Sequence, residues 1–338
     1  MSKLFEPKNL GNINIKNRLV RSATAEGASD EDGQIRDEII DIYRDLASGG
    51  VGLIITGHAY VHPPGRCSVN QMGIHRDELM PGLHRITDCV HSIAPECKIA
   101  VQLSHAGRQA APNSVSDPVA PSSVKDTATG ITPREMTEDE ILECIGCFAD
   151  SAERVKKCGF DGVQLHGAHG YLISSFNSPH TNRRADKWGG TPENRMRFVV
   201  ETYRSVRKKV GDDFPVFIKL NAYDFVDGGI EIEESSRIAA VLAQEGIDGI
   251  EVSGGMYESY RGKGVVRMRI RKPKQEAYFL PYAEKIKQAV GDVPVMLVGG
   301  IRSTSVMNEI LDNGYADFIS LCRPLIREAD LPNKIKQN

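Results

Sequence analysis

A (β/α)8 barrel is the fold this sequence predicts, on three observations: eight short apolar runs, helical patterns between them, and a length of 338 residues that suits one large barrel with insertions. Repeated βα units and a parallel sheet produce this alternation. The runs are 18–24 (RLVRSAT), 51–56 (VGLIIT), 98–103 (KIAVQL), 161–166 (DGVQLH), 215–220 (PVFIKL), 247–252 (IDGIEV), 294–298 (PVMLV) and 316–321 (ADFISL). Their brevity and β-branched content favour strands over buried helices. A doubly wound open sheet shares the alternation and stays open as an alternative.

In chain order, residues 8–16 read first, as a short hairpin at the bottom of the barrel. Ile39, Ile40, Tyr43, Leu46 and Ala47 form one face of a helix that ends at Gly49-Gly50. Thr137 and Glu140 make a capping box before a helix whose buried stripe is Ile141, Cys144, Ile145, Phe148, Ala152 and Val155. Further helices start at Thr191-Pro192 and Ser303, and Gly314 is a stop. No linker or low-complexity tract interrupts the chain, so residues 1–338 are expected to form one domain.

Hydrophobic residues at 40% and charged residues at 26% are near the globular average, and a net charge of −3 argues against a nucleic-acid partner. The N-terminus lacks an apolar signal region and no run is long enough to span a bilayer, so a cytoplasmic protein without a membrane partner is expected. The seven cysteines show no framework spacing and are read as reduced thiols. Cys144 and Cys147 form a C-x-x-C inside the capped helix with no second pair, which favours packing over metal.

Barrels of this kind build their sites at the C-terminal ends of the strands, and those positions are unusually polar here. They offer Ala25-Glu26, Gly57-His58, Gln102, His166, Lys219, Ser253-Gly254-Gly255, Gly299-Gly300 and Cys322-Arg323. The last three stations combine glycine-freed backbone N–H groups with a guanidinium, which suits a phosphate; tight βα turns alone would use the same glycines. His166, His169 and Tyr171 fall within six residues of one strand end, where two imidazoles can hold a substrate oxygen and a phenol can deliver a proton. A His-x-x-His metal pair is the competing reading, but no suitably spaced carboxylate or cysteine accompanies it, and no metal is expected. Neither G-x-G-x-x-G, nor a P-loop, nor H-E-x-x-H occurs.

Six segments in order, 17–27 (NRLVRSATAEG), 51–66 (VGLIITGHAYVHPPGR), 101–108 (VQLSHAGR), 166–172 (HGAHGYL), 189–198 (GGTPENRMRF) and 298–302 (VGGIR), resemble the Old Yellow Enzyme family of FMN-dependent ene-reductases and related NADH:flavin oxidoreductases. The resemblance covers essentially the whole chain. It implies FMN across the barrel mouth, its phosphate held by Ser253, Gly254, Gly255, Gly299, Gly300, Cys322 and Arg323, with Ala23, Thr24, Ala25 and His58 among its other contacts. Gln102 would bond the pyrimidine edge, and Lys219, arginine in many relatives, would stabilise the negative charge of the reduced flavin. By the same resemblance NADH or NADPH is the electron donor, His166 and His169 clasp the oxygen of an α,β-unsaturated small molecule, and Tyr171 protonates its α-carbon. Glu26 and Tyr257 complete the expected substrate pocket.

Two departures stand out. Ala25 replaces a commoner Thr or Cys, and Gly27 an aromatic that some relatives supply. The loop 256–275 carries seven cations, Arg261, Lys263, Arg267, Arg269, Arg271, Lys272 and Lys274, suited to an anionic group such as a nicotinamide cofactor's phosphates or an acyl-CoA; a solvated charged lid is the plainer alternative. His105, Trp188, Arg183 and Arg184 are expected to be structural. A NADH oxidase with another acceptor and a flavin-binding electron-transfer subunit remain alternatives, as does homo-oligomerisation.

Overall fold

The computed structural model describes residues 2–337. Its strands are β1 (Lys8–Leu10), β2 (Ile13–Ile15), β3 (Leu19–Arg21), β4 (Leu53–Tyr60), β5 (Lys98–Ser104), β6 (Val119–Ala120), β7 (Arg134–Glu135), β8 (Gly162–Gly167), β9 (Val216–Asn221), β10 (Gly249–Ser253), β11 (Val295–Leu297) and β12 (Phe318–Leu321). Eight of them close into a barrel in the order β10-β11-β12-β3-β4-β5-β8-β9, every neighbouring pair parallel. Closure excludes the open doubly wound sheet. Each of the eight apolar runs overlaps one barrel strand, β4 continuing four residues past its run and β5, β8, β9 and β10 one, because a strand buried on both faces needs a continuous rather than an alternating apolar sequence.

The helices that cover the barrel include α1 (Asp37–Ser48), α2 (Met80–Ile93), α3 (Glu138–Lys157), α4 (Leu172–Asn177), α5 (Pro192–Val210), α6 (Ile232–Gln244), α7 (Leu280–Val290) and α8 (Thr304–Asp312). The α3 capping box is present, with Glu140 N–H donating to Thr137 Oγ1 and Thr137 N–H to Glu140 Oε2. Thr191 caps α5 in the expected way. Ser303 does not cap α8: its hydroxyl donates instead to Glu276 Oε1 at 2.6 Å, holding the loop before α7. After α1, a Cβ on Gly49 would lie 1.9 Å from Ala329 O, so glycine there admits the C-terminal segment as well as ending the helix.

β1 and β2 pair antiparallel and bring Leu10 and Ile15 into one buried cluster with Val20, Leu53, Ile55, Ala100, Phe217, Met296 and Phe318 from the barrel strands. The hairpin therefore plugs the N-terminal end, and a Cβ on Gly249 at the start of β10 would strike Leu10 Cδ1 at 2.5 Å. With that end filled by side chains, open space is left at the other. No described helix is long and apolar enough to cross a membrane. Leu10 is fully buried, so Leu10→Ala should lower stability by roughly 2–5 kcal/mol. The denaturant midpoint measures this, and an unchanged midpoint would show the plug to be peripheral.

Candidate active site at the C-terminal mouth

Five polar side chains from five strand segments form a bonded layer near the mouth. Lys219 Nζ on β9 donates to Ser22 Oγ at 2.9 Å and lies 3.2 Å from Glu251 Oε2 on β10. Ser22 donates to Glu251 Oε1 at 2.6 Å, Gln164 on β8 donates to Glu251 Oε2 at 2.8 Å, and Gln102 on β5 donates to Gln164 Oε1 at 2.7 Å. All five are buried, and Glu251 is 0% exposed. An unpaired ion at such a depth would cost several kcal/mol, so cation and carboxylate require one another.

Above this layer opens a cavity of about 740 Å³. Its volume lies within the range of small-molecule and cofactor sites. On its β4–β9 side stand His58, His166, His169 and Tyr171. Ring centroids are 5.2 Å apart for His166 and His169, 4.4 Å for His166 and Tyr171, and 5.3 Å for His58 and Tyr171. A register shift in β4 between Ile55 and His58 helps aim the His58 ring inward. His169 adopts a left-handed backbone (φ 66°), held by its N–H to Asn221 Oδ1 at 3.2 Å, and its Nε2 meets Ser253 Oγ at 2.7 Å.

Burial pushes all three imidazoles down, reinforced in each by the Lys219 cation: His58 to about 4, His166 and His169 well below the usual range. They are neutral donor–acceptors, and His166 Nδ1 is buried with no partner. Burial also raises the Tyr171 phenol, helped by the neighbouring Cys67 thiol and Tyr257. Cys67 Sγ lies 3.3 Å from the Tyr171 oxygen. Tyr171 thus keeps its proton over any ordinary working range.

The opposite wall is cationic. Strands β12 and β8 are four apart in the ring of eight, so Arg323, which follows β12, lies across the barrel from His166. Arg269, Arg271, Arg302 and Arg327 share that wall with Gly300, and Arg302 donates to Arg271 O at 2.7 Å. Ser320 also lines the cavity, its Oγ buried without a partner. Thr24 Oγ1 and Cys322 Sγ, 2.9 Å apart, join the two walls near β3. A long cavity with neutral donors at one end, cations at the other and unpartnered polar atoms between suits a ligand having a polar ring system and an anionic tail. FMN has that chemistry.

Most of the residues singled out in the sequence meet here: Ala23, Thr24, Ala25, His58, Gln102, His166, His169, Tyr171, Lys219, Ser253, Tyr257, Gly300, Cys322 and Arg323 all line the cavity. Glu26 does not. Its carboxylate turns away to the Tyr43 hydroxyl and accepts the Gly57 N–H at 2.7 Å, tying the post-β3 segment to α1 and β4. Gly254, Gly255 and Gly299 also stand off the wall. A Cβ on Gly254 would meet Phe279 at 2.9 Å, one on Gly255 the backbone of Gly264 at 2.9 Å, and one on Gly299 Phe279 at 3.1 Å. Close approach of the neighbouring loop and rings therefore requires glycine at these positions whatever their backbone N–H groups hold.

The sequence reading missed Ser22, Gln164 and Glu251. Their only signal was polarity inside or beside an apolar run, as in IDGIEV. Two expected structural residues behave so: Trp188 is buried, and Arg184 donates to the carbonyls of Pro121 and Met136. His62, His105 and Cys144 also cluster, with one ligand-type atom of each within 4.8 Å of the others. His105 Nδ1 accepts the Gly107 N–H at 3.1 Å, so the neutral ring carries its proton on Nε2 and has no lone pair left for a metal.

Comparison with known proteins accords with this geometry. Residues 3–338 match the NADH:flavin oxidoreductase / NADH oxidase family. A NADH oxidase of Thermoanaerobacter brockii is 40% identical over 339 residues, 99% of this chain and 50% of that protein. The chain therefore spans about half the length of that relative. A 2-naphthoyl-CoA reductase solved with 2-naphthoyl-CoA superposes with a TM-score of 0.92 at 31% identity, over 99% of this chain and 52% of the other. The Old Yellow Enzyme homologue of Zymomonas mobilis superposes with a TM-score of 0.85 at 27% identity, over 99% and 92%. On the family match and these likenesses, the chain belongs to the NADH:flavin oxidoreductase / NADH oxidase family, the FMN- and nicotinamide-dependent oxidoreductases that include Old Yellow Enzyme.

Proposed function

We propose that this protein reduces an activated C=C bond, of an enone or enoate, with electrons from NADH or NADPH. The observation that carries the reading is the convergence of two neutral imidazoles, His166 and His169, beside a phenol that keeps its proton. FMN, when bound, supplies the hydride that reaches the β-carbon. Gln102 and Lys219 would hold the polar edge of its ring, and Gly300 and Arg323 its phosphate.

The chain's own residues then divide the remaining work. His166 and His169 each offer an N–H to the substrate oxygen, drawing charge toward it. Neutral donors suit this role, because an imidazolium would have to be buried at greater cost. Tyr171 gives its proton to the α-carbon, so the alkene gains one hydride and one proton while NAD(P)H becomes NAD(P)+. Cys67, at 3.3 Å from the phenol oxygen, orients that hydroxyl.

The 2-naphthoyl-CoA reductase likeness favours reduction of a carbonyl-activated unsaturated system. The NADH oxidase relative supports the second reading, in which oxygen is the acceptor. Anaerobic reoxidation by 2-cyclohexenone compared with reoxidation by oxygen separates them, and faster reoxidation by oxygen favours the oxidase.

Tyr171→Phe should slow alkene-dependent reoxidation by about 10²–10⁴-fold while leaving reduction by the nicotinamide unchanged. Equal reoxidation rates in stopped flow would remove Tyr171 from the role. Because burial holds His166 and His169 far below 6.5, both stay neutral as pH falls through that value, and KM for the enone should show no inflection there. A KM profile that turns near 6.5 would mean that a charged imidazole binds the substrate.

A further inference from the structure

The loop 256–275 has seven cations and one acid, Glu258. Glu258 is taken up at the base of the loop. It meets the buried Arg108 guanidinium, lies 3.1 Å from His180 Nε2, and accepts the Thr127 N–H and hydroxyl at 3.2 and 3.0 Å. The loop is anchored by its only carboxylate, and none of its cations makes an ion pair among the described residues.

The surplus continues onto the cavity wall. Arg269 and Arg271 from the loop, with Arg323 and Arg327, line it and have no carboxylate partner among the described residues. Arg302 is held by Glu276 at 3.4 Å, and Glu328, the one acid on the wall, is drawn to Lys334 at 3.2 Å. A phosphate monoester carries about two negative charges near neutrality, so a flavin phosphate would leave most of these cations unmatched. Charges of one sign around a cleft concentrate ligands of the other.

The same loop exposes apolar and aromatic surface: Tyr257 at 56%, Tyr260 at 48%, Val266 at 62% and Met268 at 71%. The loop thus carries both cations that suit phosphates and exposed rings on which a purine can stack. We infer that this rim binds the phosphorylated adenine-nucleotide portion of a ligand whose reactive end enters the cavity. It deepens the proposed function, resting on that reading only for the reactive end. The nucleotide belongs either to a dinucleotide donor bearing a 2′-phosphate or to a nucleotide thioester substrate bearing a 3′-phosphate.

Calorimetric binding of 2′,5′-ADP and 3′,5′-ADP to the whole protein needs no turnover, so it can fail or succeed independently of the proposed chemistry. At least one fragment should bind, more weakly as salt rises. The variant Arg269→Gln/Arg271→Gln/Lys272→Gln/Lys274→Gln, folded by circular dichroism, should bind it about tenfold or more weakly. Preference for 2′,5′-ADP assigns the rim to the donor, and preference for 3′,5′-ADP to a thioester substrate. Absence of binding by both fragments, or equal affinity in parent and variant, overturns the inference. If the variant does not fold, the salt series on the parent decides, and affinity independent of salt overturns it.

Discussion

The Lys219 ammonium can stand inside the barrel because Glu251 lies 3.2 Å away and Ser22 bonds both groups. Removing one partner of such a buried pair typically costs about 3–5 kcal/mol, more than most single interactions contribute. The pair fixes more than stability. Gln164 bonds Glu251 and Gln102 bonds Gln164, so a chain of directional contacts sets the side chains on which the cavity rests. Lys219 and Glu251 are neighbours in the register of β9 and β10, and His166 is the register partner of Lys219 on β8. One level of the barrel thus positions both the cation and the first imidazole.

From that level the site divides into two poles set by strand order. Neutral imidazoles and a protonated phenol occupy the β8 side, where burial and the neighbouring groups act together against ionisation. Arginines occupy the β12 side, where solvent can reach them. A barrel separates such groups naturally, since residues four strands apart face one another across the mouth while sharing one scaffold. The hairpin plug supports the arrangement from below by filling the other end with Leu10 and Ile15.

Much of this was legible in the sequence, for a physical reason. Sites in this fold follow strand ends, so His166, His169, Tyr171 and Lys219 can be placed at the cavity once the eight apolar runs are recognised. Glu26 was misplaced because position after a strand does not fix side-chain direction, and the Tyr43 and Gly57 partners that turn it away come from elsewhere in the chain. Glu251 went unnoticed for the converse reason: its meaning depends on a lysine one strand over. Cys67 lies 104 residues from Tyr171 and is brought to it only by barrel closure. At the glycines 254, 255 and 299 the sequence shows only backbone freedom, and the crowding by Phe279 and loop 263–265 is visible only in three dimensions.

The central claim is that hydride and proton reach the two carbons of an activated alkene from different sources, the proton through Tyr171. Reduction of 2-cyclohexenone by unlabelled NADH or NADPH in D2O tests it most directly, with the product read by NMR. The account predicts solvent deuterium at the α-carbon and protium delivered to the β-carbon. Solvent deuterium delivered to the β-carbon, or no reduced product while the nicotinamide is consumed, would contradict it.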